Sequence, residues 1–189
     1  MNRFVRAHLA AVALLFASQA PSFAAGADGT AHTSPPAQFV TDKITVSGAV
    51  EHTLVLSVED LRKFPEQDIH EVSLRHEAGG GAEAGKVEKL KGVLLRTIVQ
   101  KAAVVSKDHN DVKKLAIIAA ASDGYKVVFS WSEIFNSPLG DGIIVFFEKD
   151  GAPLADNEGQ LALISTGDTR TGPRHVKWLQ SITVSKIVE

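Results

Sequence analysis

Residues 172–184 of this 189-residue chain read GPRHVKWLQSITV. A basic turn containing Arg174, His175 and Lys177 leads through a tryptophan into a segment typical of a β-strand, with apolar residues at alternate positions. Gly172 allows the backbone to come close to a ligand, and the basic side chains are suitable donors to an anion. Alternatively, the turn is a solvated loop whose tryptophan and leucine anchor the strand that follows.

Other parts of the chain also have strand patterning. Apolar residues predict strands in 44–50, 54–56, 69–74, 115–121, 126–129, 143–147 and 161–164. The run 115–121 has no polar interruption, which is typical of a strand buried on both faces. Asp150 and Gly151 form the dipeptide of a tight turn after one of these strands.

Three short helices are predicted between the strands. Ser57 with Asp60, and Ser130 with Glu133, have the spacing of a capping box at a helix N-terminus. A third, amphipathic helix is expected over 93–102, entered from a glycine. The sequence therefore predicts an α+β fold or a mainly-β sandwich, in which strands dominate.

The composition excludes several classes of protein. The chain has no cysteine, which excludes disulfides, cysteine-bound zinc, iron–sulfur clusters and a cysteine nucleophile. A net charge of −2 gives no basis for nucleic-acid binding. No metal site and no catalytic residue are predicted from the histidines or from hydrolase motifs. The glycine-rich segment 79–85 lacks the Lys and Ser/Thr of a phosphate-binding loop and is expected to be a hairpin tip.

The N-terminus has the pattern of an export signal. Arg3 and Arg6 precede an apolar run of nine residues, and small residues precede a predicted cleavage after Ala24. We therefore expect a signal peptide in 1–24, a flexible tether in 25–38 and one domain in 39–189, located in the periplasm or outside the cell. The apolar run is too short to span a membrane, and no span is predicted after cleavage. The signal has no twin-arginine pair.

Five segments, taken in order, resemble the molybdopterin-binding domain of the sulfite-oxidase-type oxidoreductases. They are 44–50, 91–95, 122–125, 150–154 and 172–179, and the resemblance covers roughly residues 42–188. It implies that family's fold, a strand-dominated sandwich with about three short helices. In the family, a cysteine in the pattern Leu-x-Cys ligates the molybdenum of the cofactor. His76 stands at that position here, two residues after Leu74, and its imidazole lacks the charge and softness of a thiolate.

The resemblance also implies a set of cofactor-binding residues. Arg174, His175 and Lys177 match the segment that contacts the phosphate and pterin of the cofactor. Asp123 and Tyr125 match a turn beside the cofactor cleft, although the same residues also suit an ordinary turn with the intervening glycine at positive φ. With His76, these are the candidate site residues.

Two functions follow from these observations. The first is an exported domain that has lost molybdenum redox chemistry, holds no cofactor, and binds a small anion or a periplasmic protein partner. The missing cysteine favours this function, because no thiolate is available to ligate molybdenum. The missing twin-arginine pair also favours it, because the family's exported enzymes fold around their cofactor first and then leave by the twin-arginine route. The alternative is a molybdopterin-dependent oxidoreductase that uses the cleft near Arg174 and Lys177.

Overall fold

The computed structural model describes residues 39–65, 68–75 and 86–187. These residues form two five-stranded sheets that share one hydrophobic core. The first sheet has the order β2-β1-β10-β5-β6, and its strands are β1 (Lys43–Gly48), β2 (Leu54–Ser57), β5 (Leu115–Ala121), β6 (Lys126–Ser130) and β10 (Leu179–Lys186). Its strands pair antiparallel except for β1 and β10, which are parallel.

The second sheet is built around one buried strand, β7 (Ile143–Lys149), which pairs with three of the others. Its strands are β3 (Ile69–Arg75), β4 (Val87–Leu94), β7 (Ile143–Lys149), β8 (Ala152–Pro153) and β9 (Ala162–Ser165). Strand β4 pairs with β3 and β7, and both β8 and β9 pair with β7. Asp150 and Gly151 have φ of 51° and 80° and connect β7 to β8 as the predicted two-residue turn.

Three short helices connect the strands within the described residues. They are α1 (Val58–Arg62), α2 (Leu95–Lys101) and α3 (Trp131–Phe135). Ser57 and Ser130 both form the predicted capping boxes, because each hydroxyl accepts from the N3 backbone N–H and each N3 carboxylate accepts from the cap backbone. The strand-dominated α+β sandwich predicted from the sequence is therefore confirmed.

The third predicted helix begins later than expected, because β4 was missed. The expected helix over 93–102 starts only at Leu95, and residues 87–94 are a strand. The reason lies in the pattern of β4, in which Glu88 and Leu90 are buried while Lys89 and Lys91 are exposed. Buried and exposed positions alternate from Val87 to Lys91, but a glutamate occupies one of the buried positions. A pattern of hydrophobic residues therefore does not reveal this strand.

Apolar side chains fill the space between the two sheets, and others cover the opposite face of the second sheet. Ile44, Ile117, Ile182 and Val145 belong to the shared core. A smaller cluster on the other face includes Phe146 and residues of β3, β4 and β9. A strand with cores on both of its faces reads as a continuous apolar run, as β7 does.

The predicted signal peptide (1–24), the tether (25–38) and the glycine-rich loop (79–85) lie outside the described residues, and these predictions remain untested. Among the helices that are described, none combines the length and apolarity that a membrane crossing requires.

Candidate functional site

The pairing of β5 with β10 brings two distant segments together. The strands are antiparallel, and Ala121 at the end of β5 lies opposite Leu179 at the start of β10. The turn that follows β5 is therefore adjacent to the segment that precedes β10. The backbone N–H of Ser122 donates to the carbonyl of Trp178 at 3.0 Å and fixes this approach.

A cleft of about 320 Å³ lies at this junction. It is lined by Asp123, Tyr125, Gly172, His175, Lys177 and Trp178. Four of the six candidate site residues therefore line one cavity. Its volume lies at the lower end of the range for small-molecule sites.

The turn after β5 is joined to the opposite wall of the cleft. Gly124 has φ of 93°, as expected for a glycine in an ordinary turn. Asp123 Oδ1 accepts from the backbone N–H of Tyr125 at 2.8 Å. The Tyr125 hydroxyl donates to the carbonyl of Pro173 at 2.7 Å, although 44% of this residue remains exposed. The Tyr125 side chain therefore connects the turn to the segment that precedes β10.

Arg174 faces away from the cleft and is engaged by two carboxylates. Its Nε donates to Asp168 Oδ2 at 2.6 Å, its Nη2 donates to Asp168 Oδ1, and its Nη1 donates to Glu133 Oε1 at 2.8 Å. Its Cζ lies 4.8 Å from the centre of the Phe129 ring. The guanidinium of Arg174, a candidate anion contact from the sequence, forms charge-assisted hydrogen bonds with two carboxylates of the protein itself.

These contacts also shift the ionisation of the three groups. Burial alone would raise the pKa of Asp168, but hydrogen bonds from Arg174 and Ser165 outweigh burial and leave that pKa below its usual value. The pKa of Glu133 is lowered in the same way, by hydrogen bonds from Ser130 and Arg174 against burial. The hydrogen bonds to Asp168, opposed by burial, raise the pKa of Arg174. All three groups are thus held in their charged forms at neutral pH.

His175 lies deeper in the cleft wall than Lys177. Its ring is 5.9 Å from the ring of Phe146, and its Nε2 is buried with no hydrogen-bond partner among the described residues. Burial lowers its pKa; Lys177 and Lys149 lower it further, while Glu158 and Glu88 oppose the change. The imidazole is therefore neutral at pH 7.

Sequence reasoning missed a group of buried charges behind His175. Glu158 is 6% exposed and Glu88 is 7% exposed, and Lys149 lies between them. Its Nζ is 2.6 Å from Glu158 Oε1 and 3.8 Å from Glu88 Oε1. The second carboxylate oxygen of Glu158 is buried without a described partner. In the sequence, the one sign of these buried charges is that Glu88 occupies a position of β4 at which alternation places an apolar residue.

Trp178 closes one side of the cleft in a strained conformation. Its φ is 49°, a left-handed value that costs a non-glycine residue about 1 kcal/mol. Its indole N–H donates to the carbonyl of Asp156 at 2.7 Å, and its backbone N–H donates to the carbonyl of Glu158. A Cβ at Gly159 would lie 2.7 Å from the Trp178 ring. The ring is therefore held in place on several sides.

The described residues therefore form a two-sheet domain of the α+β class, with an aromatic-walled cleft between the β5–β6 turn and the start of β10. The family model described as the oxidoreductase molybdopterin binding domain matches residues 32–188, and the chain belongs to that family. No curated protein matches the chain.

A solved structure with a similar fold is the sulfane dehydrogenase SoxCD from Paracoccus pantotrophus. The TM-score is 0.58 and the sequence identity is 20%, over 80% of this chain and 39% of the SoxCD chain. The chain thus spans well under half the length of that protein. At this identity the similarity concerns the fold.

The residues of this chain do not fit a molybdenum centre held as the family resemblance implies. The whole sequence has no cysteine to supply a thiolate. The side chain expected to bind the cofactor's phosphate, Arg174, is already paired with Asp168 and Glu133. His76 lies outside the described residues. In the described part of the chain, no three His, Asp or Glu side chains come together as a possible metal site.

Proposed function

We propose that this protein is an exported member of the family that no longer performs molybdenum redox chemistry and uses the cleft to bind the anionic group of a small ligand. The observation that carries the proposal is the contrast between two basic side chains in the segment 172–179. Arg174 serves the protein's own carboxylates, while Lys177 extends to the cleft.

Lys177 is the residue that would contact the anion. It lines the cleft, and its ammonium group forms no ion pair or hydrogen bond with any side chain in the described ranges. A cationic group without a partner at the wall of a cavity attracts an anion, and a charge-assisted contact there contributes more than a neutral one. The neutral His175 beside it adds a polar surface without adding charge.

The absence of cysteine supports the loss of redox chemistry. A thiolate supplies both negative charge and a soft donor to a high-valent metal, and neither imidazole nor carboxylate replaces both properties. Cleavage after Ala24 and export as an unfolded chain are part of the same proposal. They are supported by the basic and apolar pattern of 1–24 and by the missing twin-arginine pair.

Metal analysis tests the first half of the proposal. The full chain is expressed in a bacterial host that makes molybdopterin, purified from the periplasmic fraction, and analysed for molybdenum and for its N-terminal residue. We expect far less than one molybdenum atom per chain and a mature N-terminus at Ala25. A ratio near one would establish the alternative, a molybdopterin-dependent oxidoreductase that uses this cleft; the family membership is the observation that favours it.

Calorimetric titration with acetate and with inorganic phosphate tests the second half. We expect binding of at least one of these anions, weakened about tenfold by Lys177→Met, because one charge-assisted contact is lost. Lys126→Met is the matched control, since Lys126 is exposed on β6 and does not line the cleft. Equal binding by both variants would show that Lys177 is not the anion contact.

A further inference from the structure

Two opposite charges line the same cleft without pairing with each other. Asp123 and Lys177 both border the cavity, yet no ion pair within the described residues joins them. Asp123 Oδ1 accepts from the backbone of Tyr125, and Oδ2 has no described partner. Unpaired opposite charges across a small cavity leave room for a ligand that satisfies both of them.

The charge balance of the lining limits the charge of the ligand. Lys177 contributes one positive charge and Asp123 one negative charge, while His175 is neutral at pH 7. Arg174 does not line the cleft, and its positive charge is paired with two carboxylates, so it adds no positive charge to this balance. The lining therefore has no net charge, and Asp123 repels a multiply charged anion such as phosphate.

Aromatic side chains supply the remaining walls. The hydroxyl of Tyr125 donates to Pro173, and the indole N–H of Trp178 donates to Asp156, so both polar ends are used inside the protein. Their rings are left as apolar, preorganised surfaces. Such surfaces favour the hydrocarbon part of a ligand and attract a cation held over a ring face.

We propose that the cleft binds a small zwitterion, whose carboxylate pairs with Lys177 and whose ammonium group pairs with Asp123. An amino acid with an apolar or aromatic side chain is the simplest compound of this class. This assignment rests on the proposed function, because Lys177 binds the anionic group of the ligand in both proposals. It differs from the proposed function in requiring a cationic group on the ligand as well.

A set of four compounds tests this assignment by calorimetric titration at pH 7. L-Phenylalanine has both charges, 3-phenylpropionate lacks the ammonium group, 2-phenylethylamine lacks the carboxylate, and inorganic phosphate is a multiply charged anion. We expect phenylalanine to bind at least about tenfold more tightly than either singly charged compound, because each of these loses one charge-assisted contact.

Matched variants identify the two contacts. Asp123→Asn should reduce phenylalanine binding about tenfold and leave phenylpropionate binding unchanged or improved. Lys177→Met should weaken both phenylalanine and phenylpropionate. Glu51→Gln and Lys126→Met remove the same kinds of charge at exposed positions that do not line the cleft, and they should have no effect.

The outcomes separate this inference from the proposed function. If phenylpropionate or phosphate binds as tightly as phenylalanine, and Lys177→Met weakens it, the zwitterion assignment is wrong and the anion site stands. If phenylalanine binds but Asp123→Asn has no effect, the assignment is also wrong. If none of the compounds binds to the wild-type protein, both proposals fail.

Discussion

Replacing Arg174 by methionine should destabilise the fold, although this arginine belongs to a segment that resembles a cofactor-binding motif. Methionine keeps most of the aliphatic stem and removes the guanidinium. That group makes three charge-assisted hydrogen bonds to Asp168 and Glu133 and lies over the Phe129 ring. Without it, two carboxylates lie close to an apolar surface with no compensating charge.

The expected magnitude follows from the burial of the groups. Removing one partner of a buried ion pair costs about 3–5 kcal/mol, whereas an exposed pair contributes under about 1 kcal/mol. The Arg174 side chain is 20% exposed and Asp168 only 12%, but Glu133 is 35% exposed. The pair with Asp168 therefore dominates, and we expect a loss of about 2–4 kcal/mol. For a domain of this size that corresponds to a decrease in Tm of roughly 6–12 °C.

Calorimetry of thermal unfolding at pH 7 measures the effect. Lys177→Met is the control and should change the unfolding free energy by no more than about 0.5 kcal/mol, because Lys177 has no described partner. The double variant Arg174→Met with Asp168→Asn should recover part of the loss, since the uncompensated carboxylate is then removed. A Tm within about 1 °C of wild type for Arg174→Met would refute the structural role and make the guanidinium available to a ligand.

The pH dependence supplies an independent check on the same reasoning. Asp168 and Glu133 have pKa values below their ordinary 3.8 and 4.5 in the folded protein. Their contribution to stability is therefore complete above those ordinary values and is lost as the pH falls through the folded pKa values. The stability difference between wild type and Arg174→Met should be largest near neutral pH and should shrink below about pH 4.

Three other substitutions probe the surroundings of the cleft. Lys149→Met should cost about 2–3 kcal/mol in urea unfolding, because it leaves the buried carboxylate of Glu158 without its cation; a change under about 0.5 kcal/mol would contradict this. Gly159→Ala should lower stability and change tryptophan fluorescence, because the added Cβ would lie 2.7 Å from the Trp178 ring. Gly151→Ala is the control: it has a similar positive φ but open space at its Cβ, so it should cost only about 1 kcal/mol and leave fluorescence unchanged. His175 has a pKa below 6.5 when folded, so that stability should fall as the pH drops below 6.5; His175→Gln should remove that fall, and an unchanged profile would show that another group titrates.

Features of the fold that depend on local sequence were predictable. Both capping boxes rely on a serine and a carboxylate three residues apart, and the structure confirms them at Ser57 and Ser130. The two-residue turn at Asp150 and Gly151 is equally local. Strand β4 was missed because a buried ion-pair network replaces an apolar side chain at Glu88, and that burial depends on Lys149, 61 residues further along the chain.

Four of the six candidate residues named from the sequence line the cleft, but the contacts of their side chains could not be predicted. The turn at 123–125 and the segment at 172–178 meet only because β5 and β10 pair antiparallel, which single-sequence patterning does not reveal. The partners of Arg174 were also hidden. Glu133 serves first as the N3 residue of a capping box and uses its other oxygen for the arginine. Capping chemistry was visible in the sequence; the second contact was not.

Three neighbouring basic residues thus do three different things, and burial is what separates them. Arg174 lies against Phe129 and Asp168, where an unpaired charge would be costly, and so it is neutralised internally. His175 is buried enough to remain neutral. Lys177 reaches the cleft and keeps its charge available to a ligand. The resemblance of 172–179 to the family's motif therefore does not by itself decide the binding chemistry, which depends on which of these charges has no partner among the described residues.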